Sequence, residues 1–461
     1  MENKEKLTGL NLLKKIGEGL TGWTEKWIPD AFVIVILLSA ITFVLALLWG
    51  GKGLAGTVRA WGDGFWFLLE FSMQMCLIMV TGYIFAVSPP VRKVMDTLSK
   101  IPDPDKPYQS ILLMALFSMF TAWLNWGLSL IGSAMFVLFV VRRNPGVDYR
   151  LLVASAYLGL GCTWHSGLSG SAPLIVATED NFLIKSGLLD KTIPVSQTIF
   201  YPFNLILTLI IVVVVSFIMA GMHPEKDKTF IVEPEILEKL KLYEAPEKPE
   251  GKLQPSEWMN WWPGFNVIVA LVGIFWIINY FARGCELTLN VMNFIFLILG
   301  LLLHWRPWSF LKACEEAGKT VWGVIIQFPF YAGIFGLFKF TELAGVFTQA
   351  FVAISSNKTF LLFTYWYAGV LNYLIPSGGG EWAVTAPYLI PASKALGVEI
   401  NKTVIAYAWG DMMTDMIQPF WAIPLLAVAK LEFKEIMGWL LIIFVIYFLI
   451  TSAAFLVLPV L

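Results

Sequence analysis

Three acidic residues, Glu381, Asp411 and Asp415, lie in otherwise apolar stretches of the sequence. Asp411 and Asp415 are four positions apart, which places both on one face of a helix. A charge at the depth of a membrane is costly, so such residues usually face a cavity and have a function. We therefore expect one of the two aspartates to contribute to cation or proton coupling, the alternative being a structural hydrogen-bonding role. Glu381 is a further candidate for ion coupling.

Glycine and hydrogen-bonding residues interrupt two apolar stretches, TAWLNWGLSLIGSAMF at 121–136 and GVLNYLIPSGGGEWAV at 369–384. Half-helix N-termini at such breaks carry a partial positive charge that can bind a carboxylate, and freed carbonyl groups suit a hard cation such as sodium. The alternative for single glycines is close helix packing. It does not account for three consecutive glycines after a proline, because these dismantle a helix. The candidate substrate-binding residues are Asn125, Gly127, Ser129, Ser169, Ser171, Ser377, Gly378, Gly379, Gly380, Thr414 and Gln418.

The composition places these residues in a polytopic membrane protein, because 57% of the 461 residues are hydrophobic and only 14% are charged. A net charge of -1 and scattered basic residues argue against a nucleic-acid partner. The four cysteines and three histidines are dispersed without zinc-binding spacing, and the chain has no phosphate-binding Gly-Lys loop. We expect no organic cofactor and no metal beyond sodium as a candidate coupling ion. No nucleophile–base pair is visible, so the sequence does not indicate an enzyme.

Apolar segments of roughly 20 residues are long enough to cross a membrane. They predict spanning helices near 29–50, 64–87, 196–221, 262–282, 288–304, 320–340 and 436–459. Two further spans, 149–178 and 402–429, are interrupted in the middle. The stretches 108–141 and 359–393 suit re-entrant hairpins of two short helices, the alternative being one long tilted helix each.

The two halves of the chain match at a nearly constant offset. Leu124-Asn125-Trp126 matches Leu371-Asn372-Tyr373 at 247 positions, and Pro173-Leu174 matches Pro424-Leu425 at 251. The first copy contains four crossings, so the additional span at 262–282 would invert the second copy. We predict an all-α polytopic membrane protein with two inverted repeats, re-entrant hairpins and interrupted transmembrane helices.

The predicted organisation has five parts. They are an N-terminal amphipathic segment at 1–27, a first repeat at 28–222, a cytoplasmic linker at 223–258, a linking transmembrane helix at 259–287 and a second, inverted repeat at 288–461. A solvated lead-in is the alternative for the first part. With the N-terminus inside and the C-terminus outside, 23 of the 32 lysines and arginines lie on the inner side, as the positive-inside rule requires.

Five segments resemble one known family. They are WGDGFWFLLEFSMQMCLIMVTG at 61–82, LNWGLSLIGSAMF at 124–136, QFPFYAGI at 327–334, PSGGGEW at 376–382 and QPFWAIPLLAVA at 418–429. The chain resembles the short-chain fatty acid transporter family, inner-membrane carriers related to acetoacetate and butyrate uptake. The resemblance implies a looser relation to the ion-transporter superfamily of carboxylate carriers. It also implies a homodimer, formed by a scaffold domain beside a transport domain of two hairpins and two broken helices.

Neither hairpin and neither unwound loop contains lysine or arginine. A substrate with two or three carboxylates would normally meet such a cation, whereas a monocarboxylate needs none. We expect a secondary active transporter of short monocarboxylates such as butyrate or acetoacetate, working by alternating access and coupled to sodium or a proton. An ion-coupled di- or tricarboxylate carrier is the alternative, and a channel would instead give flux without saturation.

Overall fold

The computed structural model describes residues 26, 27, 29, 31–232, 247, 248, 251 and 253–458. Most of the predicted N-terminal segment and part of the predicted linker lie outside these residues. The described part is helical, and within it seven helices are long and apolar enough to cross a membrane. An eighth span results if the bent pair Ile400–Asp415 and Phe420–Ala429 is counted as one. The predicted all-α membrane fold is thereby confirmed.

The two halves contain corresponding helices in the same order along the chain. The first half has one additional short helix, Phe182–Lys185, without a counterpart in the second. The first half contains Ala31–Trp49, Gly53–Gly64, Leu69–Val87, Pro89–Leu98, Tyr108–Leu124, Trp126–Arg143, Tyr149–Cys162, Ser171–Ala177 and Pro202–Gly221. The second contains Leu289–Leu303, Pro307–Gly318, Trp322–Phe340, Leu343–Ile354, Phe360–Asn372, Gly378–Ala395, Ile400–Asp415, Ile423–Ala429 and Phe433–Val457. Pro255–Trp261 and Gly264–Ala282 connect them. A duplicated chain would give this order, and the inverted relation of the repeats stays a prediction.

Two pairs of helices fold back as hairpins. In the first hairpin, Tyr108–Leu124 with Trp126–Arg143, the Ser129 hydroxyl donates to the Ser118 carbonyl at 2.8 Å. In the second hairpin, Phe360–Asn372 with Gly378–Ala395, the hydroxyls of Tyr367 and Tyr388 lie 2.7 Å apart. Residues so far apart in sequence cannot touch along one straight helix with a rise of about 1.5 Å per residue. The alternative of single long helices is excluded.

Two further helices are broken where the sequence predicts it. The first broken helix consists of Tyr149–Cys162 and Ser171–Ala177, with a 3-10 turn at Trp164–Ser166 between them. The second consists of Ile400–Asp415 and Ile423–Ala429 and is bent by 65° at its break. Asp411 and Asp415 therefore lie in the last turns of a helix that stops inside the protein, where buried backbone groups need other partners.

Two predicted spans begin later than predicted. The span at 64–87 begins only at Leu69, because Gly53–Gly64 forms a separate helix. The span at 196–221 begins only at Pro202, after a 3-10 turn at Val195–Gln197. The span at 288–304 matches the helix Leu289–Leu303 within one residue at each end, and at about 22 Å this helix is shorter than a hydrocarbon core of about 30 Å. Four helices beside the spans, two in each half, were not predicted. They are Gly53–Gly64, Pro89–Leu98, Pro307–Gly318 and Leu343–Ile354.

Segments predicted to share the inner face contact each other. An Arg143 Nη2 lies 3.2 Å from an Asp96 oxygen, and an Arg150 Nη2 lies 3.1 Å from a Glu435 oxygen. Lys100 also binds Asp96, and this lysine together with Arg143 holds the pKa of the Asp96 carboxyl below its usual range. The Arg143–Asp96 contact places the base of the first hairpin on the same face as the helix Pro89–Leu98 before it. Which face is cytoplasmic stays a prediction.

Candidate substrate and ion site

The tips of both hairpins and the breaks of both broken helices surround one cavity of about 40 Å³. Three tryptophans, Trp126, Trp164 and Trp421, form part of its wall. Met75, Leu160, Val324 and Phe328 add apolar surface, and Ser171, Ser377, Gly378, Gly379 and Asp415 supply the polar part. The volume is roughly three times the minimum that one water molecule needs. The cavity therefore suits a small, mostly apolar ligand with one polar end.

Two helices begin at this cavity. The helix Trp126–Arg143 follows Asn125, whose side chain accepts from the Leu128 N–H at 2.9 Å. The helix Gly378–Ala395 follows Ser377, whose hydroxyl accepts from the Gly380 N–H at 3.2 Å. Both N-caps fix the start of the helix at the hairpin tip. Each helix N-terminus therefore brings a partial positive charge to the cavity. A carboxylate can be stabilised there without a basic side chain.

Asp415 is held by three N–H donors. Asn372 and Gln418 donate to Oδ1 at 3.0 and 2.9 Å, and the Trp164 indole donates to Oδ2 at 3.0 Å. The three donors come from the second hairpin, the break of the second broken helix and the break of the first. Charge-assisted hydrogen bonds of this kind stabilise an ionised carboxylate. Asp415 thus ties the two breaks and the second hairpin together.

Asp411 pairs with a histidine. The Nδ1 atom of His165 lies 2.5 Å from Asp411 Oδ2, and both side chains are fully buried. The Ala172 N–H donates to His165 Nε2 at 3.1 Å, so Nε2 is an acceptor and the proton of a neutral ring is on Nδ1. His165 therefore donates to Asp411. The other carboxylate oxygen, Oδ1, receives no hydrogen bond from the described residues.

Glu381 is fully buried one turn into the second hairpin's C-terminal helix, and neither of its carboxylate oxygens receives a hydrogen bond from the described residues. Its carboxyl faces that of Asp411 within hydrogen-bonding reach. Two carboxylates have only acceptor atoms when both are ionised. This contact is satisfied only when a proton is shared between them.

The three consecutive glycines pack tightly against these groups. A Cβ at Gly378 would lie 2.7 Å from Asp411 Oδ2, from His165 Cε1 and from Trp164 Cη2. At Gly379 it would meet the Phe71 ring at 2.3 Å, and at Gly380 the Tyr331 ring at 2.8 Å. Close approach explains why glycine is needed at each position. The glycines lie at a helix start, as the sequence predicts, and they also allow close packing, which was not expected for this segment.

Other predicted residues are near the cavity but use their polar atoms inside the protein. Ser169 accepts from the Trp126 N–H at 2.9 Å, and Ser129 donates to the first hairpin's own backbone. Thr414 donates to the Gly369 carbonyl at 2.8 Å. A Cβ at Gly127 would lie 3.1 Å from the backbone of Met79. Their predicted role in orienting substrate stays a prediction, whereas Ser171 and Ser377 line the cavity directly.

His165 lies in the interruption of the span predicted at 149–178, but the sequence indicated no specific role for it. Its distance of 246 positions from Asp411 is close to the repeat offset, as is the separation of 251 between Trp164 and Asp415. That offset was the available signal, because corresponding breaks in two copies of a repeat can meet at their shared axis.

Sodium coupling stays a prediction, because these carboxylates by themselves do not supply the oxygen ligands of a sodium site. The oxygens of Asp415 already face three N–H donors, whose positive ends would repel a cation. Asp411 and Glu381 together offer three oxygens without donors, whereas a hard cation takes about six oxygen ligands. No group of three or more histidine, cysteine, aspartate or glutamate side chains in the described part of the chain is arranged to hold a metal ion.

Two hairpins and two broken helices around a small cavity define a multi-pass membrane transporter, not an enzyme. The family model described as "Short chain fatty acid transporter" matches residues 12–458, and the chain belongs to this family. It is 37% identical over 429 residues to a provisionally named short-chain fatty acid transporter of Escherichia coli (strain K12), covering 93% of this chain and 96% of the relative.

A second curated relative agrees with this assignment, and a solved structure shares the fold. A similarly named protein of Haemophilus influenzae is 34% identical over 435 residues, covering 93% of this chain and 96% of the relative. The crystal structure of the Alcanivorax borkumensis YdaH transporter, described as having an unusual topology, superposes with a TM-score of 0.60. It covers 94% of this chain and 98% of that one at 15% identity, a likeness of fold alone.

Proposed function

We propose that this protein is a secondary active transporter that moves short monocarboxylates, such as butyrate or acetoacetate, by alternating access. The observation that carries the proposal is the cavity between the hairpin tips. Two helix N-termini begin there, its wall is largely aromatic and aliphatic, and none of the described residues that line it is basic. Family membership and the curated relatives' names support the same substrate class.

The carboxylate of the substrate would lie at the helix start beside Ser377 and Gly378, facing Ser171. The first-turn N–H groups and the hydroxyls would replace part of its hydration shell. Its short alkyl tail would contact Met75, Phe328 and the tryptophans, because burial of each CH₂ contributes about 0.8 kcal/mol. A second or third carboxylate would find no cation here, which disfavours the di- and tricarboxylate alternative.

Transport would proceed by movement of the two hairpins and the two broken helices relative to the remaining helices, opening the cavity to either side in turn. An ion gradient would supply the energy. We also propose that the chain forms a homodimer in a bacterial inner membrane, with its N-terminus inside and its C-terminus outside. This placement follows from the distribution of lysine and arginine.

The test is counterflow in proteoliposomes that are loaded with unlabelled butyrate and diluted into labelled butyrate. Liposomes without protein give the passive rate, because the neutral acid crosses lipid by itself. We expect saturable, protein-dependent uptake that excess acetate, butyrate or acetoacetate suppresses and that succinate or citrate does not. Suppression by succinate or citrate would favour the dicarboxylate or tricarboxylate carrier, and uptake that does not saturate would indicate a channel.

A further inference from the structure

We infer that Glu381 carries the proton that is coupled to transport, that Asp411 accepts its hydrogen bond, and that His165 positions Asp411. This inference rests on the proposed monocarboxylate transport and names its coupling ion. Three observations support it independently of the family assignment. They are the unpartnered, fully buried carboxyl of Glu381, its contact with a second carboxyl, and the bond from His165 to that second carboxyl.

A single proton on Glu381 would give hydrogen-bond partners to the carboxyl groups of Glu381 and Asp411. Asp411 Oδ2 is occupied by the His165 Nδ1–H, and Oδ1 lacks a donor. A protonated Glu381 donates its O–H to the Asp411 carboxylate and so gives that carboxylate a second hydrogen bond. Without this proton, two negative charges would face each other in a site without water access, which is strongly unfavourable.

The tautomer of His165 assigns the proton to Glu381 instead of the ring. Its Nε2 accepts the Ala172 N–H, so the imidazole is neutral and its only proton is on Nδ1. Asp415 is an unsuitable carrier, because three N–H donors stabilise its ionised form. Among Glu381, Asp411 and Asp415, Glu381 alone lacks any N–H donor from the described residues and is therefore the one that holds the proton.

Among the described residues, the groups that face Glu381 contain no positive charge. The second broken helix contributes Asp411, Asp415 and Tyr407, the helix Trp322–Phe340 contributes Tyr331, and the second hairpin contributes Tyr367 and Tyr388. The remaining two helices packed on this hairpin helix, Leu343–Ile354 and Ser171–Ala177, carry no ionisable side chain. His165 reaches the group only through Asp411. With no cation nearby, binding of a proton is the available way to neutralise Glu381.

The proton site and the cavity share one helix start. Gly378 and Gly379 line the cavity, and Gly378 also packs against the Asp411–His165 pair. Glu381 follows within the same helical turn. A movement of the second hairpin that opens the cavity also separates Glu381 from Asp411 and exposes it to water, where it loses its proton. The empty carrier can return to the other side of the membrane only after Glu381 has released its proton.

The experiment compares two fluxes of labelled butyrate from proteoliposomes with wild type, Glu381→Gln and Glu399→Gln. Net efflux into butyrate-free medium requires an empty carrier that has released its proton. Exchange against external butyrate returns the carrier loaded, with the proton in place. Glutamine mimics the protonated acid, so we expect Glu381→Gln to keep exchange and to lose net efflux down to the rate of protein-free liposomes. Glu399, an exposed residue paired with Lys402, is the matched control and should keep both fluxes.

The wild-type protein provides a second measurement that needs no variant. Replacing sodium by choline on both sides should change neither flux, whereas dependence on sodium would overturn the inference. Net efflux by Glu381→Gln at the wild-type rate would also overturn it, as would loss of exchange in a variant that melts like the wild type. If Glu381→Gln does not fold, Glu381→Asp, which keeps the carboxyl, should restore net efflux. Absence of any protein-dependent exchange in the wild type would instead refute the proposed transport itself.

Discussion

Replacing Gly378 by alanine tests whether close packing at the second hairpin tip holds the site together. The added methyl group would lie 2.7 Å from three atoms, one each in Asp411, His165 and Trp164. Ordinary contacts begin at 3.4 Å, so each neighbour must retreat by at least 0.7 Å or the helix must shift. Overpacking of this kind costs about 1–3 kcal/mol, and alanine recovers about 0.5–1 kcal/mol through its helix propensity. We expect a net destabilisation of about 1–2 kcal/mol.

The control is Gly62→Ala in the helix Gly53–Gly64, where nothing lies within 4 Å of the added Cβ. It should be neutral or stabilising by up to about 1 kcal/mol. Melting of detergent-solubilised protein by tryptophan fluorescence gives the stability, and butyrate counterflow gives the function. Gly378→Ala should melt at a lower temperature than the wild type, and its counterflow should fall because the displaced helix start forms part of the cavity wall. If it melts and transports like Gly62→Ala, the described packing of the tip is wrong.

Three further changes test other parts of the account. Trp164→Phe removes one N–H donor from buried Asp415 and should destabilise the protein by about 1.5–3 kcal/mol, measured by thermal melting. Gly410→Ala would bring a Cβ within 2.1 Å of the Tyr365 carbonyl, a backbone atom that cannot yield, so we expect loss of folded protein by size-exclusion chromatography. Lys100 and Arg143 lower the pKa of Asp96, so its stabilising contribution is present above the ordinary carboxyl range and lost as the pH falls through the lowered pKa. Asp96→Asn should therefore melt below the wild type at neutral pH and equal to it in acid; a constant difference would contradict this explanation.

The sequence predicts the membrane class and the positions of the breaks well, because both depend on local composition. A run such as Ser377-Gly378-Gly379-Gly380 after a proline cannot continue a helix, wherever it lies in the fold. The chain accordingly stops one hairpin helix at Asn372 and starts the next at Gly378. The separate helices Gly53–Gly64 and Pro307–Gly318 were not predictable in the same way, since neither is an apolar run of membrane-spanning length.

The hydrogen-bond partners of the polar residues cannot be predicted from local composition. The bond from His165 to Asp411 joins residues 246 positions apart and depends on how the two broken helices pack. Similarly, Ser129 and Ser377 are both hydroxyl residues at a hairpin tip, yet one bonds the opposite hairpin helix and the other lines the cavity. Sequence identifies the candidates, and packing decides which of them face a ligand.

The most direct test of the central claim, that the cavity between the hairpin tips binds the transported monocarboxylate, is butyrate counterflow by Ser377→Leu and Ser377→Gly. Leucine would fill the cavity, whereas glycine removes the hydroxyl cap at a cost of only a few tenths of a kcal/mol and leaves the space open. We expect Ser377→Leu to fall to the rate of protein-free liposomes and Ser377→Gly to retain saturable counterflow. Wild-type counterflow by Ser377→Leu would contradict this site.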